Sequence, residues 1–196
     1  MPIISAVAPN DGAPGNFITI YGKNFGNTVG QVIFCGADTN SDGNNCGDTD
    51  DQAARLAKAV NPSCTEVWTD NQIIAEIPSG AVNGPVKVIV GSQFDQTNDS
   101  RGPVLADFSV NSTVRPGICS VIDLTTGKAE GNFKDPIRVQ GNNFTAGNLT
   151  YFGQVPSGGS PTISGNITIT DIFVPNAEPG TVGVRVKAGA EFSNPF

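Results

Sequence analysis

The sequence predicts an all-β protein of two tandem antiparallel sandwiches, with one short helix in an insertion of the first. Three observations lead there. Four sequence blocks recur in the same order in the two halves of the chain, the mark of an internal repeat. Each block is a short run of Val, Ile, Thr and Phe with period-two alternation, bounded by Gly, Pro or Asn, which is how half-buried strands read. Gly and Pro together supply 38 of the 196 residues, well above the ordinary share of about 12%, while charged residues are only 15%. Helical bundles and coiled coils, rich in Ala, Glu, Lys and Leu, are thereby excluded.

The elements follow in order. In the first half, strands are expected near 2–8, 17–22, 29–35, 66–69, 72–77, 85–91 and 104–110. In the second they are expected near 118–123, 136–141, 148–153, 166–174 and 181–187. Asn16 to Phe25 aligns with Asp135 to Phe144, so that Gly22 matches Gly141 and Phe25 matches Phe144. Val32-Ile33-Phe34-Cys35-Gly36 aligns with Leu149-Thr150-Tyr151-Phe152-Gly153, and Ile74 to Pro78 with Asp171 to Pro175. Gly84 to Val90 aligns with Gly180 to Val186. About seven short strands per repeat make a sandwich. The domains are therefore placed at 1–110 and 117–196, with 111–116 as the linker and 37–65 as an insertion.

Composition excludes several kinds of chemistry. The chain has no His, so there is no His-based triad, no His-ligated zinc and no imidazole proton shuttle. A net charge of -7 with only 11 Lys and Arg gives no basic face for nucleic acid. No apolar run approaches the ~18 residues of a membrane span. The start, Met1 to Ser5, reads as a strand and not as a leader, so it says nothing about compartment. No paired carboxylates are placed for glycoside hydrolysis, since Glu66 and Glu76 lie on strand segments and are expected to face solvent.

The blocks Pro9-x-x-Gly12-x-x-Gly15, Ile18-Thr19-Ile20-x-Gly22-x-Asn24-Phe25-Gly26, Trp68-Thr69-Asp70-x-Gln72-Ile73, Ile77-Pro78 and Gly84-x-Val86-x-Val88-x-Val90 resemble the IPT/TIG domain. The resemblance implies an immunoglobulin-like fold in both repeats. The second repeat keeps Gly141-Asn142-Asn143-Phe144, Tyr151-Phe152-Gly153 and Val174-Pro175 but lacks the Trp-x-Asp segment. It closes on Ser193-Asn194-Pro195-Phe196, a stretch that in the family precedes the last strand. The second sandwich is therefore expected to be cut before that strand, and the chain to be part of a longer protein. By family position, Trp68 and the Phe residues at 25, 34, 144 and 152 are packing residues and not a carbohydrate platform.

The insertion has its own grammar. Thr49 and Gln52 form a capping box, and Ala53, Leu56, Ala57 and Val60 share one helical face, stopped by Asn61-Pro62. Upstream, Asp38-x-Asn40-x-Asp42-Gly43 is the first half of a calcium loop, with the Asn44 carbonyl at position 7. Thr49 stands where a bidentate Glu belongs, and Asp48, Asp50 or Asp51 could substitute with a shifted loop. Five of the chain's 18 acids fall within residues 38–51, and a Ca2+ ion would relieve their repulsion at an affinity of ~10⁻⁴–10⁻³ M. The competing reading is a solvated Asn/Asp/Gly turn.

Four cysteines, Cys35, Cys46, Cys64 and Cys119, point to an oxidising compartment. Two disulfides allow three connectivities, all of which join Cys119 to the first domain or its insertion. Cys35–Cys64 closing the insertion's base and Cys46–Cys119 pinning its tip is the expectation, against reduced thiols and a free hinge.

The expected function is a non-catalytic structural or adhesive module, stiffened by calcium and disulfides, within a larger extracellular or cell-surface protein. Its partners would be other protein domains or surface glycans. The resemblance also implies an alternative, a glycan-binding accessory domain of a polysaccharide-active enzyme. DNA binding, known for the fold in transcription factors, is disfavoured by the acidic charge.

Overall fold

The computed structural model describes residues 1–41, 46–99, 103–176 and 180–196. The first repeat forms β1 (Ile3–Ala8), β2 (Asp11–Gly12), β3 (Phe17–Lys23), β4 (Gln31–Phe34), β5 (Gln52–Ala53), β6 (Arg55–Leu56), the helix α1 (Ala57–Val60), β7 (Gln72–Glu76), β8 (Val86–Val90) and β9 (Gln93–Gln96). After β10 (Ser109–Val110) the second repeat forms β11 (Gly117–Asp123), β12 (Pro136–Asn142), β13 (Leu149–Phe152), β14 (Val155–Pro156), β15 (Gly158–Ser164), β16 (Thr168–Phe173), β17 (Val184–Ala188) and β18 (Glu191–Phe192).

Both repeats use one topology. The first packs a β1-β3-β7-β6 sheet on a β5-β4-β8-β9 sheet; the second packs β11-β12-β16-β15 on β14-β13-β17-β18. All pairs in these four sheets are antiparallel. A short parallel pairing of β10 with β2 ties the exit of the first sandwich to its entry loop. Between the sheets of the first sandwich lie Ile18, Ile20, Phe25, Phe34, Ile73, Val86, Val88 and Phe108. The second core holds Ile118, Val139, Phe144, Phe152, Ile169, Ile172, Val184 and Val186. Each such side chain removed from water contributes about 1.5–3 kcal/mol, which is what sets the alternation of the strands.

The shared Gly-x-Asn-Phe block has a physical cause in both copies. A Cβ on Gly22 would strike the Ile3 carbonyl and the Phe25 ring, and one on Gly141 would strike the Gly117 carbonyl and the Phe144 ring. Asn24 and Asn143 then take φ of 60° and 55°, the left-handed region that Asn tolerates. That reversal turns Phe25 and Phe144 inward, where both are fully buried. Trp68 is buried too, and its Nε1–H donates to the Phe25 carbonyl at 3.1 Å.

Several expectations are corrected. The helix of the insertion shrinks to the four residues of α1, its N-cap is Leu56, and no side chain caps it. The Thr49–Gln52 box does not form because Gln52 and Ala53 pair with Phe34 and Ile33 of β4, while Arg55 and Leu56 pair with Glu76 and Ala75 of β7. Residues 52–56 thus cross from one sheet to the other, and two inter-strand ladders outweigh a local helical period. The second repeat makes the same crossing through β14 and β15. Residues 66–69 contribute a single bridge, Trp68 to Ile73, instead of a strand, and 104–110 narrows to β10 plus a bridge from Phe108 to Gly84. Strands β2, β5, β6, β9, β14, β15 and β18 were not foreseen. Glu76 does not face solvent: it is 9% exposed and pairs with Arg55 at 2.7 Å. Glu66 is exposed, as expected.

The register of the repeat also shifts. Phe34 faces Val86, and Phe152 faces Val184. Phe34 therefore corresponds to Phe152, not Tyr151, and Val86 to Val184, not Val182. The one-residue slip in the Val32–Gly36 block matters most, because it swaps the buried and outer faces of the strand.

Candidate functional site

The joint between the sandwiches gathers apolar, hydrogen-bonding, ionic and disulfide contacts in one place. Its origin is visible in β3. Ile18 and Ile20 point into the first core, yet Phe17 and Thr19, on the opposite face, are buried as well. Phe17 and Ile74 from that outer face join Ala57, Cys64 and Val67 of the insertion segment and Cys119 of β11 in a third apolar cluster, with Val60 and Phe196 against it. The second sandwich thus lays its first strand and its C-terminal residues on the outer face of the β1-β3-β7-β6 sheet.

Polar groups complete the contact. Thr19 Oγ1 donates to the Pro195 carbonyl at 2.6 Å and accepts from Asn194 Nδ2 at 3.0 Å. Asn194, itself fully buried, accepts from the Ile118 N–H and donates to the Ile118 carbonyl at 2.7 and 2.8 Å. Asn61 Nδ2 donates to the Gly141 carbonyl at 2.8 Å, and Asn142 Nδ2 to the Gly15 carbonyl at 2.7 Å. The side-chain nitrogens of Asn61, Asn142 and Asn194 all donate at the joint, as burial of polar groups requires, while the buried Oδ1 of Asn142 has no hydrogen-bond partner.

Arg115, in the linker, bridges the two sandwiches. Its guanidinium bonds Asp11 of the first through Nη2 at 3.0 Å and Glu191 of the second through Nε at 2.6 Å. Nη1 donates to the Asp11 carbonyl at 2.8 Å. Burial works against the charge, but the Glu191 and Asp11 carboxylates outweigh it and hold the pKa of Arg115 above its ordinary value.

All four cysteines are oxidised, in the pairs Cys35–Cys46 and Cys64–Cys119, with Cα separations of 5.0 and 5.3 Å. An interdomain disulfide is present as expected, but the expected pairs Cys35–Cys64 and Cys46–Cys119 are replaced. The insertion's base, not its tip, meets β11. The tip is folded on itself: Asp48 Oδ2 accepts from the Thr39 N–H at 2.9 Å and Asp50 Oδ2 from the Ala37 N–H at 3.0 Å. Asp51 accepts from the N–H groups of Gly36 and Gly47 at 3.3 and 2.7 Å.

Of the expected calcium ligands, Asp42 and Asn44 lie outside the described residues. Asp38, Asn40, Asp48 and Asp50 lie in the same loop, and the carboxylates of Asp48 and Asp50 already serve backbone donors. Among the described residues, no group of three or more His, Cys, Asp or Glu side chains converges as metal ligands. No helix among them is long and apolar enough to cross a membrane.

The second sandwich also carries a cleft of about 750 Å³ where its chain crosses between sheets, bounded by Phe133, Pro156, Gly158, Gly159, Phe173 and Pro175. Phe133 is 56% and Phe173 39% exposed. Sequence reasoning missed the cleft, Arg115 and Asn194. The uncharged run Phe17 to Tyr21 was the one available signal, since a strand with no charge on either face is buried on both.

Comparison with curated protein sequences gives no match. Among solved structures, the chain is similar to SGBP-B from a complex xyloglucan utilization locus in Bacteroides uniformis, at 20% identity and a TM-score of 0.36, covering 98% of this chain and 47% of that one. It is similar to the surface glycan-binding protein PbSGBP-B from Prevotella bryantii, at 15% identity and a TM-score of 0.35, covering 99% and 41%. It is also similar to the plexin A4 extracellular region, at 13% identity and a TM-score of 0.37, covering 99% and 17%. The chain thus spans less than half of each of these proteins, and likenesses this distant say nothing about what it binds. The IPT/TIG domain family model matches residues 2–104. With the two-sheet sandwich observed over those residues, the chain belongs to the IPT/TIG domain family.

Proposed function

We propose that the chain is a non-catalytic structural and binding module of a larger extracellular or cell-surface protein, in which two immunoglobulin-like sandwiches are held at one relative orientation. The observation that carries this reading is the joint: a shared apolar cluster crossed by the Cys64–Cys119 disulfide. Oxidised cysteines suit an extracellular setting. A fixed joint lets two surfaces be presented at a defined spacing to protein domains or glycans without a conformational cost on binding.

A second reading, a glycan-binding accessory domain of a polysaccharide-active enzyme, is favoured by the aromatic cleft, since exposed ring faces are the usual sugar platforms. One set of measurements separates the two. Incubated with glycan, ester and peptide substrates, the chain is expected to give no turnover above buffer; turnover would overturn the non-catalytic reading. Titrated with soluble polysaccharides, it is expected to give no saturable heat that depends on the aromatic cleft. Saturable heat that is lost in Phe133→Ala would favour the second reading.

Calcium at Asp38, Asn40, Asp42 and Asn44, with Asp48 or Asp50, belongs to the same proposal and rests on the spacing of those residues. Millimolar Ca2+ is expected to raise the melting midpoint in part through this loop, by mass action. A rise that is undiminished in Asp42→Ala would remove the site from the account.

A further inference from the structure

We propose that the loop joining β11 to β12 binds a calcium ion between Asp123 and Asp135. The two residues stand at opposite ends of the loop: Asp123 ends β11, and Asp135 directly precedes β12. Pairing of Asp123 with Ile137 brings the loop's ends together. The Asp123 side chain follows Val121 onto the inner face, at the mouth of the second core, and is only 2% exposed.

The two oxygens of Asp123 are used very differently. Oδ1 accepts from the N–H groups of Thr125 and Thr126 at 2.5 and 3.2 Å. Oδ2 is fully buried and has no hydrogen-bond donor. Gly131 crosses close to it, such that a Cβ there would lie 3.0 Å from Oδ2. The Asp135 carboxyl lies within hydrogen-bonding reach of the Asp123 carboxyl, and its Oδ2 accepts from the Asn132 backbone and side-chain nitrogens at 2.6 and 3.2 Å. Among the described residues neither carboxylate has an ion-pair partner; Lys128 pairs instead with Glu130 at 3.2 Å, both well exposed.

Two carboxylates this close need a positive charge between them: a proton or a cation. Oδ1 of Asp123 already holds two backbone N–H donors, while Oδ2, closed in against Gly131, holds none. A buried carboxylate oxygen with no donor is rare in a folded protein, because it has lost its water without replacement. A hard cation supplies the missing partner. Two carboxylates, backbone carbonyls and water in an adaptable loop suit Ca2+, which tolerates irregular oxygen geometry, better than Mg2+, which demands an octahedron. With two charged ligands, the affinity falls in the weak range of ~10⁻⁴–10⁻³ M.

The test is a CaCl2 titration of the full chain, followed by the backbone amide signals in NMR. The expected result is saturable movement of the Thr125, Thr126 and Gly131 signals. Ca2+ at 10 mM should also raise the melting midpoint by roughly 3–10 °C. The same signals should move in Asp42→Ala, which separates this loop from the insertion, and should stay still in Asp135→Asn. Signals of residues 124–135 that do not respond to Ca2+ in the wild-type chain would overturn the proposal, as would an unchanged response in Asp135→Asn. The first readout needs no variant, so a failure of Asp135→Asn to fold leaves the proposal decidable.

Discussion

Replacing Cys64 and Cys119 together by alanine is expected to lower the stability of the oxidised chain by ~4 kcal/mol. The disulfide closes a stretch of 55 residues, and release of that closure returns the corresponding entropy to the unfolded chain. Replacing Cys35 and Cys46, which close only 11 residues, is expected to cost less, ~3 kcal/mol. Urea unfolding of the two double variants under non-reducing conditions gives the comparison. Cys64 and Cys119 are also buried in the shared cluster, so their loss should weaken the contact between the sandwiches as well as the crosslink. A difference no larger than the two loop lengths account for would mean that the joint contributes nothing beyond the crosslink.

The second large effect belongs to Phe17. It is 1% exposed, and it sits in the joint cluster and not in the core of the sandwich whose strand carries it. Phe17→Ala is expected to destabilise the chain by ~3–5 kcal/mol, the transfer cost of the ring plus the cavity left behind. Phe133→Ala, by contrast, removes a half-exposed ring from the rim of the cleft and should lie within about 0.5 kcal/mol of wild type. Chemical denaturation of both variants decides whether the face that Phe17 occupies is interior. A small effect at Phe17 would place the second sandwich off that face in solution.

These expectations turn on the part of the structure that the sequence showed least clearly. The repeat was readable because Gly22 and Gly141, Asn24 and Asn143, and Phe25 and Phe144 answer local steric demands that only those residue types meet. Strand positions followed from alternation. The helix expected around Ala53 to Val60 was overridden by pairing with β4 and β7, which lie far apart in sequence. Register within the repeat was out of reach for a similar reason: Val86 and Val184 are fixed by the strand opposite, not by their neighbours. Cysteine spacing does not encode partners. Asp48, Asp50 and Asp51, which hold the insertion's tip to itself, decide that Cys46 meets Cys35. Asn194 and Arg115 carry no local signature at all, since each is defined by groups on both sandwiches.

The central claim, that the two sandwiches are one body locked at the base of the insertion, is tested most directly by tryptic mapping without reduction. Cys35 and Cys46 fall in a single peptide, residues 24–55. Cys64 falls in residues 59–87, and Cys119 in residues 102–128, because trypsin does not cut between Arg115 and Pro116. The structure predicts residues 24–55 as a free peptide two hydrogens lighter than its reduced form, together with one crosslinked pair of residues 59–87 and 102–128. Recovery of all three peptides as one covalent unit, or of Cys119 as a free thiol, would contradict it.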